Sequence, residues 1–386
     1  MKKIVLLILS EPHTYPPTIN AANILNENGW EVLILGIRYK TTDYIKLNSG
    51  IQLKYIDKHR KGLANFIQYL FYFPWSLSQC FLFNPKVILS YDSMSVGPAF
   101  LISKSFKIKW FYHIHDLLGN VQGWYKIIEL IEKKFAHRAN TISIPQKERA
   151  ELYKNYLKKD IKIDVVFNGP RKKWIKNYKS NLIMQSLKQK FEKIIIYQGG
   201  LSTHFNLEIM LEAMKFSKSE FAFCIIGREL EVGIKKRFEL LIKRFSLEER
   251  VFILNPLGYD DLASITSLAD IGIAKLTNDN NAPINDYYLI GASNKNAEYS
   301  AAGLPIIFPN TEINKAYLEE YPIGVTCNTN SAIDLAKTID HLFENIKYYE
   351  YLSLLSRETY LEKLNFDTQF ETLLKKIENN DNISCR

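Results

Sequence analysis

Residues 293–307 read SNKNAEYSAAGLPII and form one helix–turn–strand pattern. The segment from Ser293 has helical character, and Gly303 provides the left-handed conformation on which helices commonly end. The apolar run 304–307 is typical of a short strand buried in a sheet. The pattern indicates an α/β fold, in which helices pack on a sheet of parallel strands.

The same alternation extends over the whole chain. Helical periodicity is present, for example, at 18–28, 123–137, 207–214 and 332–343. The predicted strands of the first half are 4–9, 31–35, 87–89, 109–112, 141–144 and 163–167, and those of the second half are 194–198, 221–226, 251–254, 271–274 and 304–307. This order predicts two parallel sheets with helices on both faces.

The two strand series are separated by Asn168-Gly169-Pro170 and a basic stretch at 171–176. Gly-Pro is turn chemistry, and a charged run after it is typical of a linker. A chain of 386 residues also suits two domains. We therefore predict an N-terminal domain at 1–175 and a C-terminal domain at 185–362.

The amino-acid composition is that of a globular protein without disulfides or a zinc site. Hydrophobic residues make up 47% and charged residues 24%, which is ordinary for a globular protein with a sizeable core. The four cysteines are scattered without metal-type spacing, so we expect neither disulfides nor zinc, and a reducing cytoplasm fits. The apolar segment 4–9 lacks a following cleavage site and is predicted to be a buried strand.

Charge is distributed unevenly between the two halves. Residues 1–180 hold 28 Lys and Arg against 13 Asp and Glu, a balance of +15, and the remainder carries −6. A basic N-terminal half predicts an anionic partner, either a membrane surface or a phospholipid-linked substrate. No nucleic-acid-binding motif is present, so nucleic acid is not expected as a partner.

Residues 62–85 contain no charged side chain and are rich in aromatics. Their polar residues and Pro74 make a membrane-spanning helix a poor interpretation. Two alternatives remain: helices buried in the N-terminal domain, or an element that lies at a lipid surface, because lysines and an arginine flank the aromatics.

The start of the helix at 293–302 has the chemistry of an anion site. Ser293 can cap the helix, and the free amides of its first turn, including that of Asn294, attract negative charge. Lys295 adds a cation where the helix dipole does not favour one unless an anion is bound. Glu298 shares that helix face and could accept hydrogen bonds from a ribose diol. Together these residues predict a nucleotide diphosphate lying along the helix.

This stretch resembles the donor-binding signature of the GT4 family of retaining glycosyltransferases, which have the GT-B fold. The resemblance implies two Rossmann-like doubly wound domains facing a cleft, with a last helix at about 365–380 packing back on the N-terminal domain. It implies Lys295 and Glu298 as catalytic residues. The family often has a second glutamate eight residues upstream, where this chain has Ile290 and, nearby, Asp286.

Other segments match the same family in order. Residues 197–201, YQGGL, resemble its glycine loop, which implies donor contacts from Gly199, Gly200, Ser202 and His204. Gly227 follows the next strand, and Leu257 lies in the loop that usually contacts the base. Many relatives carry Arg and Lys at the positions of Gly200 and Phe205, so His204, Lys295 and backbone amides would have to neutralise the phosphates.

In the first half, residues 28–32 and 165–169 resemble the family's second-strand entry and hinge. The resemblance implies that His115, after a predicted strand, is a further catalytic residue that faces the donor sugar and phosphate, and that Asp116 orients it or contacts the acceptor. His13, after the first strand, is the remaining candidate for an acceptor contact.

The implied activity is retaining transfer of a sugar from a UDP- or GDP-sugar, without a cofactor and without a metal, since no Asp-x-Asp motif is present. The implied acceptor is polyprenyl-phosphate-linked or a saccharide, in cell-surface polysaccharide synthesis at the inner face of the cytoplasmic membrane. The alternatives are a non-catalytic partner subunit of the same fold and a nucleotide-sugar 2-epimerase.

Overall fold

The structure is a computed structural model, and it describes residues 2–38, 47–57, 63–175, 182–277, 285 and 290–379. The chain divides into two compact units, of which unit 1 comprises Met1–Asn168 with Gln369–Arg386 and unit 2 comprises Gly169–Thr368. Each unit is built on one parallel sheet. The two sheets confirm the pair of parallel-sheet α/β folds that the sequence predicts.

Unit 1 contains a seven-stranded sheet in the order β3-β2-β1-β4-β5-β6-β7, and every described pairing is parallel. Its strands are β1 (Lys2–Ile8), β2 (Trp30–Arg38), β3 (Ile51–Asp57), β4 (Val87–Tyr91), β5 (Lys109–His113), β6 (Thr141–Ile144) and β7 (Ile163–Val165). Its helices are α1 (Pro16–Glu27), α2 (Leu63–Phe83), α3 (Asp92–Phe106), α4 (Tyr125–Phe135) and α5 (Lys147–Leu157).

Unit 2 contains a six-stranded parallel sheet in the order β10-β9-β8-β11-β12-β13. Its strands are β8 (Ile194–Gln198), β9 (Ala222–Ile226), β10 (Val251–Leu254), β11 (Ile271–Ile273), β12 (Ile306–Pro309) and β13 (Gly324–Cys327). Its helices are α6 (Leu182–Lys190), α7 (Glu208–Phe216), α8 (Ile234–Arg244), α9 (Tyr259–Thr266), α10 (Asn294–Ala302), α11 (Glu312–Glu320), α12 (Ala332–Glu344) and α13 (Ile346–Thr359). The last helix, α14 (Phe366–Glu378), begins in unit 2 and continues into unit 1 from Gln369 onward.

The central strands are continuous apolar runs because both faces of each sheet are covered. Ile4, Val5, Leu6 and Leu7 of β1 have no exposed surface, and β8 is equally buried. Such runs are typical of parallel sheets. Two of the four edge strands, β3 and β13, alternate or are half-exposed, and the sequence analysis did not predict them.

In both sheets the strand order reverses beside the first strand. The chain runs from β1 outward to β3 and then returns to β4 on the other side of β1, and β8 and β11 have the same relation. Open α/β sheets bind ligands outside the carboxyl ends of the strands at this switch point. The segments after β1, β4, β8 and β11 are therefore the first places to look for a site.

Residues 63–83 form one helix, α2, that is buried along one face only. Tyr69, Tyr72 and Cys80 are buried, whereas a row on the other side is exposed. That row, here named the α2 stripe, consists of Ile67, Leu70, Phe71, Phe81 and Leu82, which are 51–76% exposed. In the described part of the chain, no helix has both the length and the apolar composition needed to cross a bilayer.

Three cysteines, Cys80, Cys224 and Cys327, are free and buried. Burial raises the pKa of each thiol to about 12. The fourth, Cys385, lies outside the described residues. The three described thiols are core residues with no nucleophilic character.

Candidate functional site

The loop after β8 is held in one conformation by the turn after β9. The Gly199 N–H donates to the Ile226 carbonyl at 2.9 Å, and Leu201 N–H donates to Arg228 at the same distance. Gly199 has a φ of +138°, which disfavours any residue with a side chain. At Gly227 a side chain has no room, because a Cβ would lie 1.6 Å from the Gly199 carbonyl oxygen.

The loops after β8 and β11 meet at the switch point of unit 2. The Leu276 N–H donates to the Phe205 carbonyl at 3.2 Å. Lys275, which follows β11, places its ammonium 3.9 Å from the centroid of the Phe205 ring. A lysine from the loop after β11 thus places a cation against the Phe205 ring. The sequence analysis missed Lys275 because nothing in its own segment marks it.

The two polar side chains predicted in the loop after β8 have different surroundings. Ser202 is buried, and its hydroxyl donates to Glu231 and accepts the His204 N–H at 3.2 Å. The Ser202 hydrogen bond is the main reason that the pKa of Glu231 is lowered. The imidazole of His204 lies at the exposed surface of the same turn. Ser202 therefore stabilises the loop by a cap, while His204 is accessible.

The helix Asn294–Ala302 begins at Ser293 and ends at Gly303, as the sequence predicts. Ser293 has the extended backbone of a cap residue, but its side chain makes no capping hydrogen bond, contrary to the expected cap. Asn294 follows, with its buried side-chain oxygen unpartnered among the described residues. The first turn of this helix is thus not closed by its own side chains.

Lys295 extends from that first turn to the loop after β8. Its Nζ lies 3.3 Å from the Tyr197 hydroxyl and 4.4 Å from the centroid of the Tyr197 ring. A Cβ on Gly199 would lie 2.9 Å from the same Nζ. The structure therefore brings Lys295 and Gly199, predicted from segments almost 100 residues apart, to one position. Lys295 is only 8% exposed.

Glu298 lies one turn further along and is 4% exposed. Burial raises the pKa of its carboxyl to about 7, although nearby Lys295 acts in the opposite direction. No hydrogen bond to this carboxyl group is found from any residue that the structure describes. A buried acid beside a buried cation, at the edge where α/β sheets bind ligands, has the character of a binding site.

The remaining predicted donor residues are less informative. Gly200 abuts the Leu230 side chain, and Leu257 is half-buried in the loop between β10 and the helix Tyr259–Thr266. Ile290 is buried, and Asp286 lies outside the described residues. Among the residues described, no three His, Cys, Asp or Glu side chains are grouped as they are in a metal site.

In unit 1, His115 follows β5 and is 4% exposed. Its ring stacks on Tyr91 with centroids 5.1 Å apart, and it also contacts Tyr15 at 5.0 Å. His113 approaches edge-on at 4.9 Å. Burial and the proximity of His115 hold the pKa of His113 well below its usual range, so His113 is neutral.

Asp92, immediately after β4, is the partner that the sequence analysis missed. Its Oδ1 accepts the His115 N–H at 2.7 Å, and its Oδ2 lies 3.2 Å from the His115 Nδ1. Arg149, which is fully buried, donates to the His115 carbonyl at 2.7 Å and to Asp116 at 3.2 Å. The structure thus brings together Asp92, His115, Asp116 and Arg149 at the carboxyl edge of the sheet.

The other predicted acceptor residues lie at the same edge of unit 1. Asp116 is exposed and held by Arg149. His13, in the short 3-10 turn Pro12–Thr14 after β1, places its Nε2 3.6 Å from a Glu11 carboxylate oxygen. His13 lies at the switch point, in the segment after β1, whereas Asp116 follows the neighbouring strand β5.

The sequence of unit 2 is similar to a known protein family. Residues 178–358 match the family model of "Glycosyl transferases group 1". This match and the structural neighbours confirm the resemblance to GT-B glycosyltransferases that the sequence indicates. No curated protein matches the sequence.

Many solved structures are similar to the whole chain, including the following three. A glycosyltransferase from Rickettsia africae ESF-5 has a TM-score of 0.75 at 14% identity and covers 99% of each chain. Anabaena Alr3699/HepE in complex with UDP and glucose has a TM-score of 0.73 at 14% identity, covering 98% of this chain and all of its own. WaaG, a glycosyltransferase involved in lipopolysaccharide biosynthesis, has a TM-score of 0.68 at 12% identity, covering 97% and 99%. At these identities the likeness shows the fold.

Proposed function

We propose that this chain is a retaining glycosyltransferase that uses a nucleotide-diphosphate sugar as donor. The observation that carries the proposal is the position of the Lys295 ammonium, on the first turn of a helix and against Gly199 of the loop after β8. Helix amides and a lysine at one point make a preorganised positive site.

The chemistry of glycosyl transfer requires stabilisation of the departing diphosphate. In this proposal Lys295 and the amides of the first turn supply it, rather than a divalent cation. Lys275 is a second cation at the same switch point, and it offsets the missing lysine at Phe205. Glu298, one turn from Lys295, accepts the ribose hydroxyls.

The comparisons support the donor class. Alr3699/HepE has been solved with UDP and glucose and with UDP-glucose. WaaG acts in lipopolysaccharide synthesis, which supports a lipid-linked or saccharide acceptor in cell-surface polysaccharide synthesis. We assign acceptor contacts to His13 and Asp116 of unit 1, and contact with the reacting sugar to His115.

The α2 stripe supports a membrane-bound acceptor. A surface helix of a globular protein normally has charged residues on its exposed face. The exposed positions of α2 instead include five large apolar side chains and no charge. The first 180 residues carry +15, so we propose that this face lies on an anionic bilayer at the inner face of the cytoplasmic membrane.

Vesicle sedimentation tests the membrane part. The full chain is expected to bind phosphatidylglycerol vesicles more strongly than phosphatidylcholine vesicles, and high salt should weaken this binding. The double substitution Phe71→Ser and Phe81→Ser should reduce binding at least about tenfold. The matched control is Phe216→Ser with Leu240→Ser, two exposed apolar residues of unit 2. Equal binding by both double variants would exclude the α2 stripe as the contact.

A second candidate function is a non-catalytic partner subunit with the same fold. The absence of the family's arginine and lysine at Gly200 and Phe205 favours it. A partner subunit is expected to bind a nucleotide-sugar without turning it over, or not to bind one at all.

Turnover of the purified chain decides between the two. A panel of UDP- and GDP-sugars is incubated with a polyprenyl-phosphate-linked saccharide, and released nucleotide diphosphate is measured. The transferase releases it with at least one donor, and proton NMR of the product shows the anomeric configuration of the donor. No release with any donor would support the partner subunit, and an inverted product would exclude the retaining mechanism.

A further inference from the structure

The His115 ring is fixed on three sides but has one unused polar atom. Tyr91 stacks on one face and Tyr15 contacts the ring, while His113 meets it edge-on. Nδ1 has a partner in Asp92, whereas the buried Nε2 has none among the described residues. Buried polar atoms are normally satisfied, so an orphaned one in a fixed ring indicates a ligand.

Asp92 is held so that both of its oxygens serve the residue after β5. Oδ1 accepts the His115 N–H at 2.7 Å and lies 3.4 Å from the Asp116 nitrogen, and Oδ2 faces the imidazole. Its own backbone has a φ of +59°, a left-handed conformation that few residues with side chains adopt. Asparagine and aspartate tolerate this conformation best, and it costs about 1 kcal/mol or more. The fold thus retains a strained residue where it orients an imidazole.

The charge of Asp92 decides what Nε2 can do. An ionised carboxylate only accepts hydrogen bonds, so the atom that faces it, Nδ1, must carry a proton. In the neutral ring the lone pair is then on Nε2. A lone pair accepts a hydrogen bond from a hydroxyl and cannot donate one to a phosphate oxygen.

We propose that Asp92 is a positioning residue that keeps the proton of His115 on Nδ1 and presents the Nε2 lone pair to a hydroxyl of a bound sugar. This rests on the proposed glycosyl transfer and specifies the chemistry of one contact. Asp92 itself acts through His115 and touches no substrate.

Asp92→Asn tests the assignment without disturbing the backbone, because asparagine fits the left-handed conformation and keeps an oxygen for the His115 N–H. Its amide group donates to Nδ1, which moves the proton to Nε2. Nitrogen-15 NMR of the full chain labelled at histidine reports which nitrogen is protonated, and a His115→Gln variant identifies the resonances. The control is Asp57→Asn, at a carboxylate paired with Arg38 on the outer strand β3.

The expected result is an Nδ1–H ring in the unmodified chain and in the control, and an Nε2–H ring in Asp92→Asn. With the accepted donor, kcat should fall about 10- to 100-fold in Asp92→Asn with little change in KM, because positioning residues act on chemistry through the group they orient. A ring that stays protonated on Nδ1 in Asp92→Asn overturns the proposal, and so does a moved proton with unchanged kcat. An unmodified chain that turns over no donor instead contradicts the proposed function, while the ring's protonation still tests Asp92.

Discussion

Among the described residues, Glu132 of unit 1 and Glu298 of unit 2 are buried glutamates with a raised pKa, and their hydrogen bonding differs. Glu132, on α4 of unit 1, is 1% exposed, and Glu298 of unit 2 is 4% exposed. Burial raises the pKa of each carboxyl to about 7. Glu132 accepts hydroxyl hydrogen bonds on both oxygens, from Tyr112 at 2.6 Å, Tyr153 at 2.9 Å and Tyr156 at 3.2 Å.

Glu298 has no such hydrogen bonds from the residues that the structure describes, and the group that most stabilises its charge is Lys295. Saturated hydrogen bonding marks Glu132 as part of the core, where it ties a helix to strand β5 and to α5. The unsaturated carboxyl of Glu298 lies at a sheet edge, beside a cation and a glycine loop. Burial and a raised pKa alone do not separate a structural acid from a binding one. The two glutamates are distinguished by the hydrogen bonds that each carboxyl group accepts.

The largest effect that this comparison predicts is on turnover. Lys295→Ala should lower the rate of nucleotide release by about 100- to 1,000-fold, because it removes the cation that faces the departing diphosphate. The matched control is Lys133→Ala, which removes a cation next to the Glu132 cluster, 4.7 Å from the Tyr156 ring, and should leave turnover unchanged. Equal losses in the two variants would contradict the assignment.

The next effect is on stability. Glu132→Leu should lower the free energy of unfolding by about 3 kcal/mol, because three tyrosine hydroxyls lose their buried acceptor. At pH 5, where Glu298 is protonated and forms no ion pair with Lys295, Glu298→Leu should change it by less than about 1 kcal/mol, since no described hydrogen bond is lost. Urea unfolding followed by circular dichroism measures both values. A larger cost at Glu298 than at Glu132 would reverse the roles given to them.

The third effect is a dependence of stability on pH. Between the ordinary pKa of 4.5 and the folded value of about 7, folded Glu298 keeps a proton that the unfolded chain has released. Its contribution to stability therefore falls as the pH rises through this window and is constant above it. Glu298→Gln should gain thermal stability over the unmodified chain from pH 5 to pH 8, by less than about 3 kcal/mol. Melting temperatures at the two pH values check this, and an identical difference at both would show that Glu298 does not titrate in this way.

Much of the fold follows from the sequence because its signals are local. Buried strands are continuous apolar runs, and Gly303 ends the Lys295 helix at the expected residue. Two of the four edge strands, β3 (IQLKYID) and β13 (GVTC), were missed because polar residues or glycine interrupt their apolar pattern, whereas the edge strand β10 (VFIL) is an apolar run and was predicted. Lys295 and Glu298 could be predicted since they share one helix with the spacing of a family motif.

The environment of His115 was harder to predict, because strand pairing creates it. Asp92 lies 23 residues earlier in the sequence and reaches His115 only because β4 and β5 are neighbours. The rule that directs attention to His115, a polar residue just after a strand, also applies to Asp92 and could have found it. Ser202, which the sequence predicts as a donor contact, donates a hydrogen bond to Glu231 of the segment after β9 and accepts one from the His204 N–H of its own loop.

Titration calorimetry of the full chain with nucleosides and nucleotide diphosphates tests the central claim most directly. UDP is compared with uridine, and GDP with guanosine, so that each pair isolates the diphosphate. With one base, the account predicts that the diphosphate binds at least about tenfold more tightly than the nucleoside, and that Lys295→Ala removes most of this difference. Equal affinities for nucleoside and diphosphate, or an unchanged difference in Lys295→Ala, would contradict it.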